Sequence, residues 1–465
     1  MTPHYPTLRS LFNKFSSVNA MAIFLSHRRA ITAVFVVTSA LMSGCIGMTA
    51  VASTYYVSAD GNDRNDGSEA KPWRSLQRAA NRVRAGDVVL VHDGQYQPFH
   101  IGTSGKHDKR IEFRALGTNA VVTGIGNFDG RAVAVSILAD YITFEGFTVQ
   151  VNPTPASSRS RGIRVSGVNG RHVQGVHLRR NKVANAGWVG ITSSYADDIL
   201  VENNEVSGSY REHGIYVANS GDRPVIRGNV AHDNGEAGIQ INADPQLPGD
   251  GIVSGALVEG NTVYRNGKRG SAALNFASVR DARIVNNLVY GNFAQGIANW
   301  DDEAGEKYGS KNNVYMHNTV VMPAGAHHAL VFRNGSTGNT VKNNVLIHLG
   351  DRDGLAADAS SLPGLISDYN ILSRVEDVDR QLISLTDWRR QRNMDLHSRA
   401  AAPTEVFADI GRDDYRPAPR GPAVDQAQTD PTVARDLVGA PRPQGSASDI
   451  GAYELAASPG ASAAR

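Results

Sequence analysis

Between Gly162 and Ile347 one short pattern returns about every two dozen residues, and few folds can accommodate it. A Gly-Ile strand seed stands at Gly162-Ile163-Arg164-Val165, Gly190-Ile191, Gly214-Ile215-Tyr216-Val217, Gly238-Ile239-Gln240-Ile241 and Gly296-Ile297. After each seed comes a second run that ends in Asn: Asn181, Asn204, Asn229, Asn261, Asn287, Asn318 and Asn344, at intervals of 23, 25, 32, 26, 31 and 26 residues. Self-similarity at this period marks a solenoid, in which no unit can bury its apolar face alone and stacking supplies the core. Ile, Val and Leu at alternate strand positions then point inward. An Asn at one place in every coil predicts a stacked amide ladder that serves a turn rather than chemistry.

A chain of 465 residues exceeds an ordinary globular domain, but a solenoid has no such ceiling because each coil touches only its neighbours. The 47 glycines and the absence of heptad-like runs favour short strands over helices. With 47 Lys and Arg against 45 Asp and Glu, the chain lacks the basic excess of a nucleic-acid binder.

The N-terminus reads as a targeting segment, to be left out of the fold. His27-Arg28-Arg29 forms a basic flank, and Ile31 to Met42 is an apolar run too short for a comfortable membrane span. Two exits compete. Leu41-Met42-Ser43-Gly44-Cys45 looks like a lipoprotein signal, which makes Cys45 a lipid anchor and gives the protein its one contact with a membrane. Ala50-Val51-Ala52 is an ordinary cleavage site, which releases a soluble protein without cysteine. Met21 is a second candidate start. Either exit predicts export, to the periplasm, the outer membrane or the medium. With no cysteine beyond position 45, stability must come from the stacked core rather than from disulfides.

Ser75 precedes Leu76, Ala79, Ala80 and Val83 at helical spacing, closed by Gly86, and a strand follows at Val88 to Val91. A helix at the entrance of a solenoid covers apolar surface and open strand edges that the first coil would expose. Residues 55–96, which hold these elements, resemble the opening of secreted right-handed parallel β-helix proteins of the pectate-lyase-like superfamily. The C-terminal run from Gly421-Pro422-Ala423-Val424-Asp425 to Asp449-Ile450-Gly451-Ala452-Tyr453-Glu454 resembles the closing segment of bacterial secreted β-helix proteins. The resemblance implies an all-β fold, a right-handed parallel β-helix with an N-terminal capping helix. The divisions are a signal region at 1–52, a cap at 53–110, coils at 111–350, further coils and a terminal cover at 351–455, and a disordered tail at 456–465. Additional strands are expected at 111–114, 120–123, 132–137 and 142–149, with a Pro/Ser loop at 152–160.

On the exposed side of the repeated strand, the second residue after the glycine forms a column: Arg164, Thr192, Tyr216, Gln240, Ala273 and Ala298. A parallel column holds Ser166, Ser194, Ala218, Asn242, Asn275 and Trp300. Such a strip, with coils about 4.8 Å apart, suits an extended carbohydrate whose hydroxyls bond to amides and whose ring faces stack on aromatic side chains. Gln240, Asn242, Asn275 and Trp300 are its candidate substrate-binding residues. The two longest intervals insert loops after Asn242 and after Asn299, from the same edge of the same strand two coils apart. Their acidic residues, Asp244, Asp301, Asp302 and Glu303, are candidates to hold Ca²⁺ through oxygen ligands.

A β-eliminating polysaccharide lyase needs a group to neutralise a uronate carboxylate, a base for the proton α to it and an acid for the leaving oxygen. His213 or Lys268 as base and Tyr216 as acid are the candidates, with His317, His327, His328 and Arg333 farther along. The Asp-Asp and Gly-His-Gly set of polygalacturonase-type hydrolases is missing, since Asp197-Asp198 lacks its companions, and so is the Arg-Pro signature of the best-known pectate lyases. The expectation is an exported monomer acting on a uronate-containing polysaccharide as a lyase or epimerase. A glycoside hydrolase on the same scaffold and a non-catalytic polysaccharide-binding surface protein are the rivals.

Overall fold

The computed structural model describes residues 52–151, 159–167, 170–219 and 221–456. The leader with Cys45, residues 152–158 of the Pro/Ser loop and the tail from residue 457 lie outside the described residues. From Val51 onward the chain forms one compact unit.

Three long sheets of 12, 11 and 13 strands run the length of this unit, and each coil places one strand in each. One coil is Leu200–Glu202, Glu205–Ser207 and Ile215–Ala218. Apart from edge hairpins, neighbouring coils pair in parallel, Ile191 with Ile215 and Ile215 with Ile239. The inward residues make continuous apolar stacks, such as Ile163, Ile191, Ile215, Ile239, Leu274 and Ile297, all at most 1% exposed. The seed glycines are required by close approach: a Cβ on Gly190 would lie 2.4 Å from Val206 Cγ1, and one on Gly238 would lie 2.4 Å from Val263 Cγ1.

The asparagine ladder exists as the spacing predicts and extends one rung further, to Asn370. Asn204 Nδ2 donates to Asn229 Oδ1 at 3.0 Å, Asn229 Nδ2 to Asn261 Oδ1 at 3.0 Å, and the series continues to Asn344 and Asn370. The residue before each rung from Asn181 to Asn344 holds a left-handed backbone, with φ between 50° and 63°. That explains why Asn and Gly fill most of these positions, Asn203, Gly228, Gly260, Asn286 and Asn343. A second ladder, Asn234, Asn266 and Asn292, supports another bend of the same coils.

At the entrance Ser75 caps a helix, Leu76–Ala80, which ends six residues before Gly86 because Asn81 already closes it; Val83 is still buried, in the turn beyond. The expected strand over 142–149 is two, Ile142–Glu145 and Thr148–Gln150, separated by a bend at Gly146, φ 82°. At the far end the helix Leu385–Arg392 inserts fully buried Trp388 into the core, and its indole donates to Asp395 Oδ2 at 2.9 Å. This helix performs the capping expected of the closing segment. The closing segment itself turns back along the flank. Val406, Phe407, Tyr415 and Ile450 pack on the outward Leu288, Val321, Val345 and Ile347 of the 11-stranded sheet. Gly451 N–H donates to Asn343 O, and the buried Arg442–Glu454 ion pair (2.8 Å) secures the segment.

Candidate functional site

The outer face of the 13-stranded sheet carries the polar strip. Register places Arg164, Thr192, Tyr216, Gln240, Asn275 and Ala298 side by side, which moves Asn275 into the column where Ala273 was expected. Leu274 pairs with Ile239, so Ala273 occupies the seed-glycine position; the coil lacks a glycine there to show it. In the second column Asn242, Ala277 and Trp300 follow one another.

The strip is internally bonded. Trp300 Nε1 donates to Asn275 Oδ1 at 3.1 Å, and Asn275 Nδ2 to Gln240 Oε1 at 2.6 Å. Beside Tyr216 stands the Asn242 amide, whose Nδ2 donates to Asp302 Oδ2 at 2.7 Å. Since Asn242 and Asp302 belong to the roots of different insertions, that contact brings the two loops together over the strip, as their common edge predicts. Five candidates thus converge: Tyr216, Gln240, Asn242, Asn275 and Trp300.

At the other end of the strand a column opens that sequence reasoning left unassigned. The residue two places before each seed glycine stacks on its counterpart: Glu212 N–H donates to Trp188 O at 3.2 Å and Glu236 N–H to Glu212 O at 3.0 Å. The signal was present in Trp188-Val189-Gly190, Glu212-His213-Gly214 and Glu236-Ala237-Gly238. Burial raises the Glu212 carboxyl, opposed by a hydrogen bond from Trp188 and by the Arg161 charge. The Arg161 guanidinium lies 4.0 Å over the Trp188 ring. Burial, then the neighbouring Glu212, push Glu236 up to about 7.

His213 lies between this column and the strip. Its ring meets Tyr216 edge-on at 4.9 Å between centroids, and Nε2 is 3.6 Å from Glu236 Oε2. Burial pushes it down to about 3, so it is neutral near pH 7. Nδ1 accepts the Ala237 N–H at 3.2 Å, which leaves the proton on Nε2. The imidazole therefore lacks the free lone pair expected of a base; it holds Tyr216 and faces Glu236. Burial, with the charges of Glu212 and Asp302, raises the Tyr216 hydroxyl, which remains protonated. Lys268 stands apart from this group: it is exposed, with Nζ 5.2 Å over the Phe293 ring.

The acidic loops do not assemble the expected cation site. Asp301 is 4% exposed and turns inward, where its oxygens accept the Glu303 and Gly305 N–H groups and the Asn334 amide. Asp302 is engaged by Asn242, and Asp244 Oδ1 accepts the Gln246 N–H at 2.8 Å. Asp301 and Asp244 serve their own turns, Asp302 bonds across the strip, and the three do not gather their oxygens within 4.8 Å of one another, so they do not fit Ca²⁺ as a set. Among the described residues, one group of three does bring its ligand atoms within 4.8 Å of one another: His328, Asp353 and Glu376, near the C-terminal end of the same sheet.

With this geometry in view, comparison with known proteins places the fold. Residues 55–204 match the profile of the Pel9A-like right-handed β-helix region. The chain folds as a right-handed parallel β-helix. Pectate lyase Pel9A superposes with a TM-score of 0.54 at 15% identity, over 86% of this chain and 96% of that one. XylC in complex with xylose gives a TM-score of 0.50 at 12% identity, over 86% and 98% of the two chains. In sequence, the uncharacterized protein YwoF of Bacillus subtilis (strain 168) is 25% identical over 432 residues, 79% of this chain and 91% of YwoF.

Proposed function

We propose that this β-helix is an exported protein that binds an acidic polysaccharide along the outer face of its 13-stranded sheet and acts on uronate residues as a lyase or epimerase. The observation that carries the reading is His213 held between Tyr216, a hydroxyl that keeps its proton, and Glu236, a carboxyl that ionises near neutrality. Glu236, in place of His213 or Lys268, takes the proton α to the uronate carboxylate, because a base works best when its pKa lies near the operating pH. In elimination the adjacent C–O bond breaks, a C=C bond forms and the departing oxygen takes the Tyr216 proton. In epimerisation a proton returns to the same carbon from the opposite face. Arg161 beside Glu212, and Arg164, whose buried Nη1 has no hydrogen-bond partner, offer positive charge to the carboxylate. Trp300 gives an apolar face for a sugar ring, and Gln240 and Asn275 give amides for hydroxyls.

A second reading, glycoside hydrolysis, draws on Glu212 and Glu236 as paired carboxyls on neighbouring coils. Coils stack about 4.8 Å apart, close to the about 5–5.5 Å between the carboxyls of retaining glycosidases. One set of incubations separates the readings, using pectate first, since pectate lyase Pel9A shares the fold, then alginate and glycosaminoglycans, each with and without Ca²⁺. A lyase produces the ultraviolet absorbance of an unsaturated uronate, an epimerase changes the uronate proton spectrum without cutting, and a hydrolase releases reducing ends without absorbance. Saturable binding with no turnover on any uronate polymer would reject both enzymatic readings and leave a binding protein.

A further inference from the structure

We propose that His328, Asp353 and Glu376 form a binding site for a divalent transition-metal ion of the zinc class, separate from the His213–Glu236 cluster. The three side chains come from three successive coils. His328 and Asp353 each precede a residue in the seed-glycine position, Ala329 and Gly354, and Glu376 pairs with Ala356 on the outer face. They are therefore carried by the rigid strand starts of the sheet, the placement that holds a ligand set in shape.

The donor set selects the ion. One imidazole nitrogen with two carboxylate oxygens suits Zn²⁺, Co²⁺ or Mn²⁺, whereas Ca²⁺ and Mg²⁺ prefer oxygen alone. All three ligand atoms lie within 4.8 Å of one another. Ligands about 2.1 Å from a tetrahedral Zn²⁺ are about 3.4 Å apart, so a small inward movement of a side chain completes the set. Three protein ligands leave a position open to water or to a ligand oxygen.

A second observation favours a cation at this place. Asp353 is 1% exposed, yet both of its oxygens face a single nitrogen, His328 Nδ1, at 2.9 and 3.0 Å. One N–H cannot satisfy a buried carboxylate that has about four acceptor sites. Arg333 pairs with the neighbouring Glu376 and bonds to Phe332 O, not to Asp353. An ion bound to His328 Nδ1 and to Asp353 would satisfy the carboxylate and the imidazole together. Four strand spacings separate His328 from His213, about 19 Å along the same sheet. The ion would thus sit beside the polar strip and not within the cluster assigned to proton transfer. The inference does not depend on the protein being a lyase.

The test uses the whole purified protein, freed of metal with a chelator and titrated with Zn²⁺ by calorimetry and with Co²⁺ by visible absorption. One equivalent should bind, with a Co²⁺ spectrum showing nitrogen ligation, and millimolar Ca²⁺ should not displace it. His328→Gln and Glu376→Gln should each weaken binding by at least about 100-fold, since even loss of an outer partner to a metal ligand costs about 10–100-fold. Absence of saturable binding by the unaltered protein overturns the proposal without recourse to a variant. So does one-equivalent binding that both variants retain, or that Ca²⁺ abolishes. Circular dichroism shows whether each variant is folded, and Glu376→Gln, on the outer face, serves if His328→Gln is not.

Discussion

Asn229→Ala tests whether the amide ladder holds the coils, and with them the site, in register. Asn229 is fully buried and makes four side-chain hydrogen bonds. Oδ1 accepts Asn204 N–H at 2.9 Å and Asn204 Nδ2 at 3.0 Å, while Nδ2 donates to Val201 O at 2.8 Å and to Asn261 Oδ1 at 3.0 Å. Truncation does not affect them equally. Asn204 Nδ2 keeps its bond to Leu178 O, and Asn261 Oδ1 keeps the Asn229 N–H. The Asn204 N–H loses its acceptor in a buried turn, and the Val201 carbonyl loses a donor. A stranded buried group costs about 1–3 kcal/mol and an ordinary lost bond about 1 kcal/mol, so the expected destabilisation is about 3–5 kcal/mol. The effect should be local, because coils couple only to their neighbours. Hydrogen exchange should accelerate most at the Asn204 amide, and the urea transition should broaden as the two sides of the stack uncouple. Asn204→Ala removes one of these bonds, the one from Asn204 Nδ2, so the double variant should cost less than the sum of the singles. Destabilisation below about 1 kcal/mol with the Asn204 amide still protected would show that strand pairing alone carries the register.

Two further expectations concern charge. His213, ordinarily near 6.5 and pushed to about 3, binds fewer protons folded than unfolded between those values, so its contribution to stability is complete above about 6.5 and is lost as pH falls. Glu236, raised from 4.5 to about 7, has the opposite sign: the folded state binds the extra proton, and stability falls as pH rises through that window. Thermal melts across the range should show the acid-side slope weakened in His213→Gln and the neutral-side slope weakened in Glu236→Gln; slopes identical to the unaltered protein would contradict both assignments. Arg442→Met leaves Glu454 buried without its partner, both side chains being 1% exposed, and should loosen the C-terminal segment by about 3–5 kcal/mol. Limited proteolysis beyond residue 420 should accelerate while the coils stay intact, and an unchanged cleavage rate would show that the packing of Phe407, Tyr415 and Ile450 suffices without the ion pair.

Much of this molecule could be read from local chemistry repeated at a fixed period. Gly-Ile seeds, alternating apolar residues and one Asn per coil specify a stacked parallel solenoid, because each satisfies a constraint that recurs identically in every coil: close backbone approach, inward packing and a left-handed bend. The same period gave the common edge of the two insertions, and Asn242 and Asp302 do meet across it. Where a coil departs from the pattern, sequence reasoning slipped. Ala273 in the glycine position shifted Asn275 by one column, since only backbone pairing says which residue lies beside Gln240. The fate of a side chain at the end of a strand was equally illegible. Asp301 and Asp302 are neighbours, yet one turns inward to accept backbone N–H groups and the other bonds across the strip. His213 looks like a base until the fold brings the Ala237 N–H to its Nδ1 and burial makes its charged form costly. Glu236, Asp353 and Glu376 acquire significance only from stacking, which places residues 23 to 25 positions apart against one another. Periodicity determines which residues share a coil position; desolvation, and the partners each side chain meets there, depend on the assembled stack.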